Sequence, residues 1–144
     1  MTRIVVDCSV SACWYLPDEF SELGQSLLLR IMEGRNSLIL PDLWWYENLN
    51  VLRTAVIRKR ITPSGARKAL VTLGKVPFQS YPVAKDNGVQ ILDTALDKEL
   101  SAYDAAYVIT ALHNQALLVT ADRQLLSLES SFNCIVSLKE VAHG

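Results

Sequence analysis

The sequence is poor in the residues that form covalent cross-links and nucleophilic active sites. Its three cysteines, Cys8, Cys13 and Cys134, include no Cys-x-x-Cys pair, which argues against a disulfide framework and a thiolate zinc site. We expect all three thiols to be small buried hydrophobic groups. Only two histidines are present, His113 and His143, and neither has a persuasive serine or cysteine partner for nucleophilic catalysis.

Long apolar runs and nucleotide-binding motifs are also missing. No apolar stretch approaches the roughly 20 residues that cross a bilayer, and no apolar run near the first residue leads to a small-residue cleavage site. Neither a P-loop nor a GxGxxG motif is present. We therefore expect a soluble, cytoplasmic protein without a membrane partner, and residues 1–144 predict a single domain.

Acidic residues are absent from one long segment, between Asn48 and Lys85. This segment carries eight basic residues and a formal charge of +8, while the rest of the chain, with six basic and fifteen acidic residues, carries −9. A basic segment beside an acidic remainder can attract a polyanion locally while the acids bind metal. We predict phosphate contacts for the segment, although any single cation could simply belong to a solvated helix face.

Apolar residues recur at strand and helix spacings in alternation. The runs that predict strands are 3–7, 37–40, 117–120 and 134–136, with an irregular stretch or short edge strand at 76–83. The spacings and caps that predict helices are at 9–14, 19–33, 43–59, 63–73, 86–99, from 101 and 123–128. This alternation indicates an α/β fold with a central parallel sheet covered by helices on both faces.

Two of the predicted helices have apolar stripes that we assign to the core. The stripe in the helix at 43–59 is Trp45, Leu49, Leu52 and Val56. The stripe in the helix at 86–99 is Val89, Leu92 and Leu96. These residues are expected to face the sheet.

Four acidic residues are expected at one edge of the sheet. Asp7 ends the first strand, and Asp122 lies two residues beyond the strand that ends at Thr120. Glu47 and Asp104 lie in the early turns of the helices that contain them. Because ligand sites in open parallel sheets form beyond the carboxyl ends of the strands, we expect the four carboxylates to gather there.

Gathered carboxylates need a compensating charge. Two of them about 4 Å apart repel by roughly 4 kcal/mol at an effective dielectric of about 20, so they stay ionised together only beside a cation. Oxygen ligands select a hard ion such as Mg²⁺ or Mn²⁺, which can activate water and stabilise charge on an attacked phosphodiester. The pattern therefore predicts a catalytic metal site formed by Asp7, Glu47, Asp104 and Asp122.

Each acid also has a structural explanation. Asp7, Asp104 and Asp122 could cap helices, and Glu47 could face solvent. The cap is least convincing for Asp7, because a carboxylate that directly follows an apolar strand is expected to be partly buried and then needs a partner.

Three polar residues could support the acids. Ser9 and Thr120 each lie two residues from one of them and could hydrogen-bond a metal ligand or a water. Asn50 lies on the same side of its helix as Glu47, which suits a polar cleft.

Four segments, in order along nearly the whole chain, together resemble PIN-domain proteins of the VapC toxin type. The first is IVVDCS at 4–9 with WYLPDE at 14–19, and the second is PDLWWYENLNVLR at 41–53. The third is LSAYDAAY at 100–107, and the fourth is LVTADRQL at 118–125. Each segment is a weak signal alone, but four at suitable spacing are a specific one.

The resemblance implies a three-layer α/β/α PIN fold, homodimerisation and Mg²⁺- or Mn²⁺-dependent endoribonuclease activity. It also implies a toxin role, with a cognate antitoxin protein that covers the acidic site. Carried over residue by residue, the four acids are the metal ligands, and Asn50 and Thr120 match supporting positions.

The combined hypothesis is hydrolysis of structured RNA, with a transfer-RNA loop as a candidate target by family analogy. The residues expected to hold the RNA backbone are Arg53, Arg58, Lys59, Arg60, Arg67 and Lys68. Trp44 is a candidate for stacking on a base at the cleft rim. Three alternatives stay open: a non-catalytic PIN-like module that binds RNA or protein, a phosphoryl-transfer receiver domain, and a DNA nuclease of the same chemistry.

Overall fold

The computed structural model describes residues 2–19 and 21–142, so His143 lies outside the described residues. The strands are Thr2–Val6 (β1), Asn36–Pro41 (β2), Gln79–Tyr81 (β3), Leu117–Thr120 (β4) and Ile135–Ser137 (β5). The helices are Cys8–Ser11 (α1), Glu22–Met32 (α2), Leu43–Ile57 (α3), Pro63–Leu73 (α4), Val83–Lys98 (α5), Ala102–His113 (α6), Arg123–Leu126 (α7) and Leu138–Ala142 (α8). Two short 3-10 turns, Ala12–Trp14 and Pro17–Glu19, follow α1.

The five strands form one parallel sheet in the order β3-β2-β1-β4-β5. β1 is central, and its Ile4 pairs with Leu38 of β2 on one side and with Leu117 of β4 on the other. From the central β1, the next two strands in sequence, β2 and β3, lie on one side, and the last two, β4 and β5, lie on the other. Strand order therefore reverses between β1 and β4, which is where open α/β sheets bind ligands.

Helices cover the sheet, as the sequence predicts. Ile4, Val5 and Val6 point to alternating faces of β1 and are all fully buried, so both faces of the central strand are covered. α6 packs on β1, β2 and β4 and also against α5. α2 packs against β2, α8 packs against β4 and β5, and α2 and α8 contact each other. The predicted α/β class with a central parallel sheet is confirmed.

The predicted core stripe of α3 is only partly correct, because Leu52 is buried whereas Trp45 and Val56 are half-buried. The buried residues of this helix are Trp44, Asn48, Leu52 and Ala55, whereas Leu49 is 42% exposed. The inward face contains a polar residue, Asn48, whose amide oxygen and nitrogen are both hydrogen-bonded inside the protein. Ranking the faces of α3 by hydrophobicity alone therefore selects the stripe that contains Leu49, although the face that contains Asn48 is the buried one.

The predicted core stripe of α5 is wrong, because Val89, Leu92 and Leu96 are between 56% and 76% exposed. The inward residues of this helix are Val83, Ile91 and Ala95, which pack on Ala105, Ala106 and Ile109 of α6. Small alanine side chains allow the two helices to approach closely. The buried face of α5 therefore carries smaller apolar side chains than its exposed face does.

Smaller expectations have mixed outcomes. The short edge strand expected at 76–83 is β3, and it lies at the edge of the sheet. The three cysteine side chains are each only partly buried, so the expectation that they are buried is wrong. Within the described part of the chain, no helix combines the length and apolar character needed to cross a membrane.

Candidate active site

Asp7, directly after β1, is the most firmly held of the predicted acids. Its side chain is only 5% exposed, and both carboxylate oxygens accept hydrogen bonds. Ser9 Oγ donates to Oδ1 over 2.5 Å, and Thr120 Oγ1 donates to Oδ2 over 2.6 Å. Asp7 occupies the N-cap position of α1, but its side chain makes no aligned capping hydrogen bond, so capping alone does not account for this carboxylate.

The same two hydroxyls join the ends of β1 and β4. Ser9 Oγ accepts from the backbone N–H of Ala121 over 2.9 Å, and Thr120 Oγ1 accepts from the N–H of Asp122 over 3.0 Å. Asp122 caps α7, since its Oδ1 accepts from the N–H of Leu125 over 3.1 Å. The capping explanation for Asp122 is thus correct for Oδ1, whereas Oδ2 takes no part in capping.

Glu47 and Asp104 are brought to the site by helices. Glu47 lies in the second turn of α3, and its buried Oε1 has no partner in hydrogen-bonding geometry among the described residues. Asp104 lies in the first turn of α6, where Ser101 Oγ caps the helix by accepting from the Asp104 N–H over 3.1 Å.

Tyr107 faces Glu47 from one turn further along α6. It is 1% exposed, and its buried hydroxyl, like Glu47 Oε1, lacks a partner in hydrogen-bonding geometry within residues 2–19 and 21–142. The hydroxyl is nevertheless close enough to lower the pKa of Glu47, as a donor does. The two groups therefore interact without forming a well-aligned hydrogen bond, and both keep capacity for another partner.

The four acids interact electrostatically. Burial raises the pKa of Asp7, and the charge of Asp122 raises it further, while the hydrogen bonds from Ser9 and Thr120 act in the opposite direction. Burial is also the main cause of the raised pKa values of Glu47 and Asp104.

Neighbouring carboxylates add to both of these shifts. Asp104 and Asp7 raise the pKa of Glu47, and Asp122 and Asp7 raise that of Asp104. Side chains from four segments that are far apart in sequence are therefore near enough for their charges to interact.

The donor set fits a hard divalent cation in its chemistry. All four side chains offer oxygen ligands, one buried oxygen lacks an aligned partner, and mutual repulsion disfavours their joint ionisation in the absence of positive charge. Among residues 2–19 and 21–142, however, no three His, Cys, Asp or Glu side chains are already arranged to hold an ion. Binding a cation would thus require the carboxylates to move closer together.

A cleft of about 400 Å³ opens beside Glu47. The residues that line it are Cys8, Leu43, Tyr46, Glu47, Asn50, Val51 and Tyr103. The Cys8 thiol has its pKa raised to about 12, first by burial and then by the charges of Glu47, Asp7 and Asp104. A thiol in this environment stays protonated, so Cys8 is not suited to act as a nucleophile.

The basic segment lies mainly on α3, α4 and the turn between them. Arg53, Arg58, Lys59, Arg67 and Lys68 are exposed, as a phosphate-contacting surface requires. Arg60 is half-buried and pairs with Glu19 over 3.0 Å, so this guanidinium is already engaged by a carboxylate.

Trp44 does not line the cleft, and the expectation that it stacks on a base is wrong. Its side chain is fully buried, where it packs against Trp45 and Phe78. The exposed aromatic residue of this turn is Tyr46, which is 73% exposed.

Asn48, next to Glu47, is a site-positioning residue that the sequence pattern did not single out. It is fully buried, and its Oδ1 accepts hydrogen bonds from Ser11 Oγ and Tyr15 OH, each over 2.8 Å. The bond from Ser11 ties α3 to α1, which follows Asp7 directly, and the bond from Tyr15 ties α3 to the end of the following 3-10 turn. The available signal was a polar residue at helical spacing from Trp44 and Leu52.

The chain has relatives among named ribonucleases, although no family model matches it. Ribonuclease VapC9 of Mycobacterium tuberculosis and VapC ribonuclease Mb0985 of Mycobacterium bovis are each 34% identical to it over 122 residues. The match covers 85% of this chain and 87% of each relative.

Two solved structures share the fold. PAE2754 from Pyrobaculum aerophilum has a TM-score of 0.72 at 20% identity and covers 99% of this chain and 95% of its own. A toxin–antitoxin complex from Klebsiella pneumoniae has a TM-score of 0.62 at 14% identity, with 94% and 97% covered. The predicted three-layer α/β/α architecture is confirmed, and the sequence match to the ribonucleases extends over most of both chains. The chain belongs to the VapC ribonuclease family.

Proposed function

We propose that this chain, as a single domain, is a Mg²⁺- or Mn²⁺-dependent endoribonuclease and the toxin of a toxin–antitoxin pair. The metal ligands in this proposal are Asp7, Glu47, Asp104 and Asp122. The observation that carries it is the convergence of four carboxylates from separate segments at the rim where strand order reverses, in a chain whose relatives are named ribonucleases.

The residues around the cluster have distinct tasks in the proposed reaction. Ser9 and Thr120 fix the Asp7 carboxylate through both of its oxygens. Glu47 offers a buried oxygen that is not committed to an aligned hydrogen bond. A divalent ion held there would supply activation of the attacking water and charge stabilisation at the phosphodiester.

The exposed cations of the basic segment are the proposed binding surface for the RNA backbone. The exposed cations proposed to contact phosphates are Arg53, Arg58, Lys59, Arg67 and Lys68, with Arg60 in a lesser role because it is paired with Glu19. Phosphate contacts of this kind make binding strongly salt-dependent. The target is proposed to be a structured RNA, with a transfer-RNA loop as the first candidate.

A cognate antitoxin is the proposed protein partner. The Klebsiella pneumoniae neighbour is a toxin–antitoxin complex, which supports this partner class for a chain of the same fold. Homodimerisation and a cytoplasmic location stay predictions. Light scattering after size-exclusion chromatography of the purified chain tests the dimer, because a monomer mass at micromolar concentration would contradict it.

The direct test is cleavage of transfer RNA by the purified chain with Mn²⁺, with EDTA in a parallel reaction. We expect cleavage with Mn²⁺ only, and loss of cleavage to background in Asp7→Asn with an unchanged circular dichroism spectrum. Asp93→Asn, which changes an exposed aspartate on α5 in the same way, should retain full activity.

Three results would contradict the proposal. Undiminished cleavage by Asp7→Asn would remove the site assignment. Binding of RNA without cleavage under any metal condition would leave a non-catalytic module. Cleavage of a DNA strand of matched sequence at an equal or higher rate would replace RNA as the substrate.

A further inference from the structure

Two tyrosines flank the cleft next to the carboxylate cluster. Tyr46 on α3 is 73% exposed, Tyr103 on α6 is 63% exposed, and both line the same cavity. Each directly precedes an acid of the cluster, Glu47 and Asp104 respectively. Two large, exposed aromatic side chains that line one cleft are typical of a binding surface.

The exposed face of α3 continues from this cleft toward the basic segment. Tyr46, Asn50 and Arg53 are spaced by four and three residues, so they lie in one row along the helix. All three are exposed, and the helix ends just before Arg58 and Lys59, which are exposed as well. An aromatic ring, an amide and a series of cations thus follow one another away from the acids.

We propose that the cleft between Tyr46 and Tyr103 is a nucleobase subsite that receives one unpaired base of RNA, with the strand continuing over Asn50 to Arg53. The proposal rests on the proposed ribonuclease function and specifies which part of the RNA this site takes. Tyrosine rings stack on any base, because every base has an aromatic face. The Asn50 amide can donate to and accept from the exposed edge of the same base.

The chemistry along this row favours a nucleotide strand over other occupants. An apolar ligand would match the tyrosines but not Asn50 or Glu47, which line the same cleft. The far end of the row is cationic, and its segment of the chain contains no acid, which matches a chain of phosphates. A base held in a duplex already uses its faces for stacking and its edge for pairing, so the subsite requires an unpaired nucleotide.

Binding of a short single-stranded RNA that carries one fluorescent adenine analogue tests the subsite, in the cleavage-deficient Asp7→Asn background. We expect Tyr46→Leu and Tyr103→Leu each to weaken binding about fivefold or more and to reduce quenching of the fluorophore, because leucine keeps apolar bulk but cannot stack. Tyr46→Phe retains the ring and should bind within about twofold of the parent. The same RNA annealed to its complement should bind equally to all of these variants.

Leu96→Ala is the matched surface control, since Leu96 is 71% exposed on α5 and does not line the cleft. Unchanged RNA affinity in both leucine variants would overturn the subsite, and a protein partner would then be the candidate ligand of the cleft. An equal loss of affinity for single-stranded and duplex RNA would also overturn it. If wild-type protein with Mn²⁺ cleaves RNA while the tyrosine variants bind normally, only the subsite fails. If wild-type protein cleaves no RNA, the proposed function fails independently of the tyrosines.

Discussion

The two sides of the carboxylate cluster hold their acids in different ways. On the strand side, both oxygens of Asp7 accept hydrogen bonds from hydroxyl groups. On the helix side, a buried oxygen of Glu47 and the buried hydroxyl of Tyr107 have no aligned partner among the described residues. Satisfied polar groups are fixed by the protein alone, whereas unsatisfied buried groups cost free energy until something binds them. The strand side is thus pre-organised, and the helix side is left to be completed by its ligand.

The difference follows from which elements supply the residues. Asp7 directly follows β1 and Thr120 ends β4, and backbone hydrogen bonds set the register of these adjacent parallel strands. Glu47 and Tyr107 come from α3 and α6, whose relative position depends on side-chain packing. Asn48 anchors α3 to α1 but leaves the Glu47 carboxylate unbonded at one oxygen.

Removing the unsatisfied carboxylate should have the largest effect. In Glu47→Gln we expect cleavage to fall to background, because a proposed metal ligand is lost. We also expect little or no stabilisation by Mn²⁺, whereas wild-type protein should gain about 2.7 kcal/mol at roughly one hundred times its dissociation constant. Thermal unfolding with and without Mn²⁺ measures the second effect independently of activity.

Glu129→Gln is the matched control for this change, since Glu129 is an exposed glutamate after α7. It should keep both activity and the gain from Mn²⁺. If Glu47→Gln gained as much stability from Mn²⁺ as wild-type protein does, Glu47 would not be a ligand and the helix side would need another explanation.

Disturbing the pre-organised side should have a smaller effect. Thr120→Val preserves shape but removes the hydrogen bond to Asp7 and the acceptor for the Asp122 N–H. Losing a group that orients a metal ligand costs about 10- to 100-fold in metal affinity or activity, so we expect a reduction in that range. Steady-state cleavage rates at several Mn²⁺ concentrations measure it.

Thr110→Val makes the same chemical change at a buried threonine of α6 whose hydroxyl donates to the backbone of Ala106 in its own helix. Activity in this control should stay close to that of wild-type protein. An equal loss in the two variants would attribute the effect to general destabilisation and not to the orientation of Asp7.

Much of the strand side could be predicted from the sequence. An acid directly after Ile4-Val5-Val6, and a second one just beyond β4, are placed by the general rule that parallel strands end at one edge. The hydroxyls of Ser9 and Thr120 were recognisable because they lie two residues from those acids. Local sequence and strand register are sufficient for this part of the site.

The helix side was less predictable, because its residues depend on which face of each helix is buried. Asn48 occupies the inward face of α3 and Leu49 the outward one, which is opposite to a ranking by hydrophobicity. Close packing of α5 on α6 through alanines likewise leaves leucines outside. Sequence periodicity identifies a helix, but the tertiary partner decides which face of it is covered.

The pH dependence of stability should differ between the metal-free wild-type protein and Asp7→Asn. The pKa values of Asp7 and Asp104 are raised above 3.8 and that of Glu47 above 4.5, so the folded state favours their neutral forms. The stability that these groups contribute is fully present below those values and is lost as pH rises through the raised pKa values.

Chemical denaturation in EDTA across this pH range provides the measurement. Wild-type protein should lose stability relative to Asp7→Asn as pH rises from about 4 towards neutrality. Added Mn²⁺ should offset the loss most strongly at neutral pH, where the carboxylates are ionised. Parallel stability curves for the two proteins in EDTA would mean that ionisation of the buried Asp7 does not destabilise the folded state.

The smallest expected effect compares two tyrosine hydroxyls, one without an aligned partner and one bonded. Tyr107→Phe removes the unaligned hydroxyl beside Glu47, so the metal-free protein should be unchanged or more stable by up to about 1 kcal/mol. Tyr15→Phe removes a bond to Asn48, whose Oδ1 keeps its bond from Ser11, and should cost about 1 kcal/mol. Urea unfolding in EDTA measures both. A comparable loss in the two variants would mean that Tyr107 already forms a full hydrogen bond to Glu47 without a ligand, and the contrast between the two sides of the cluster would then disappear.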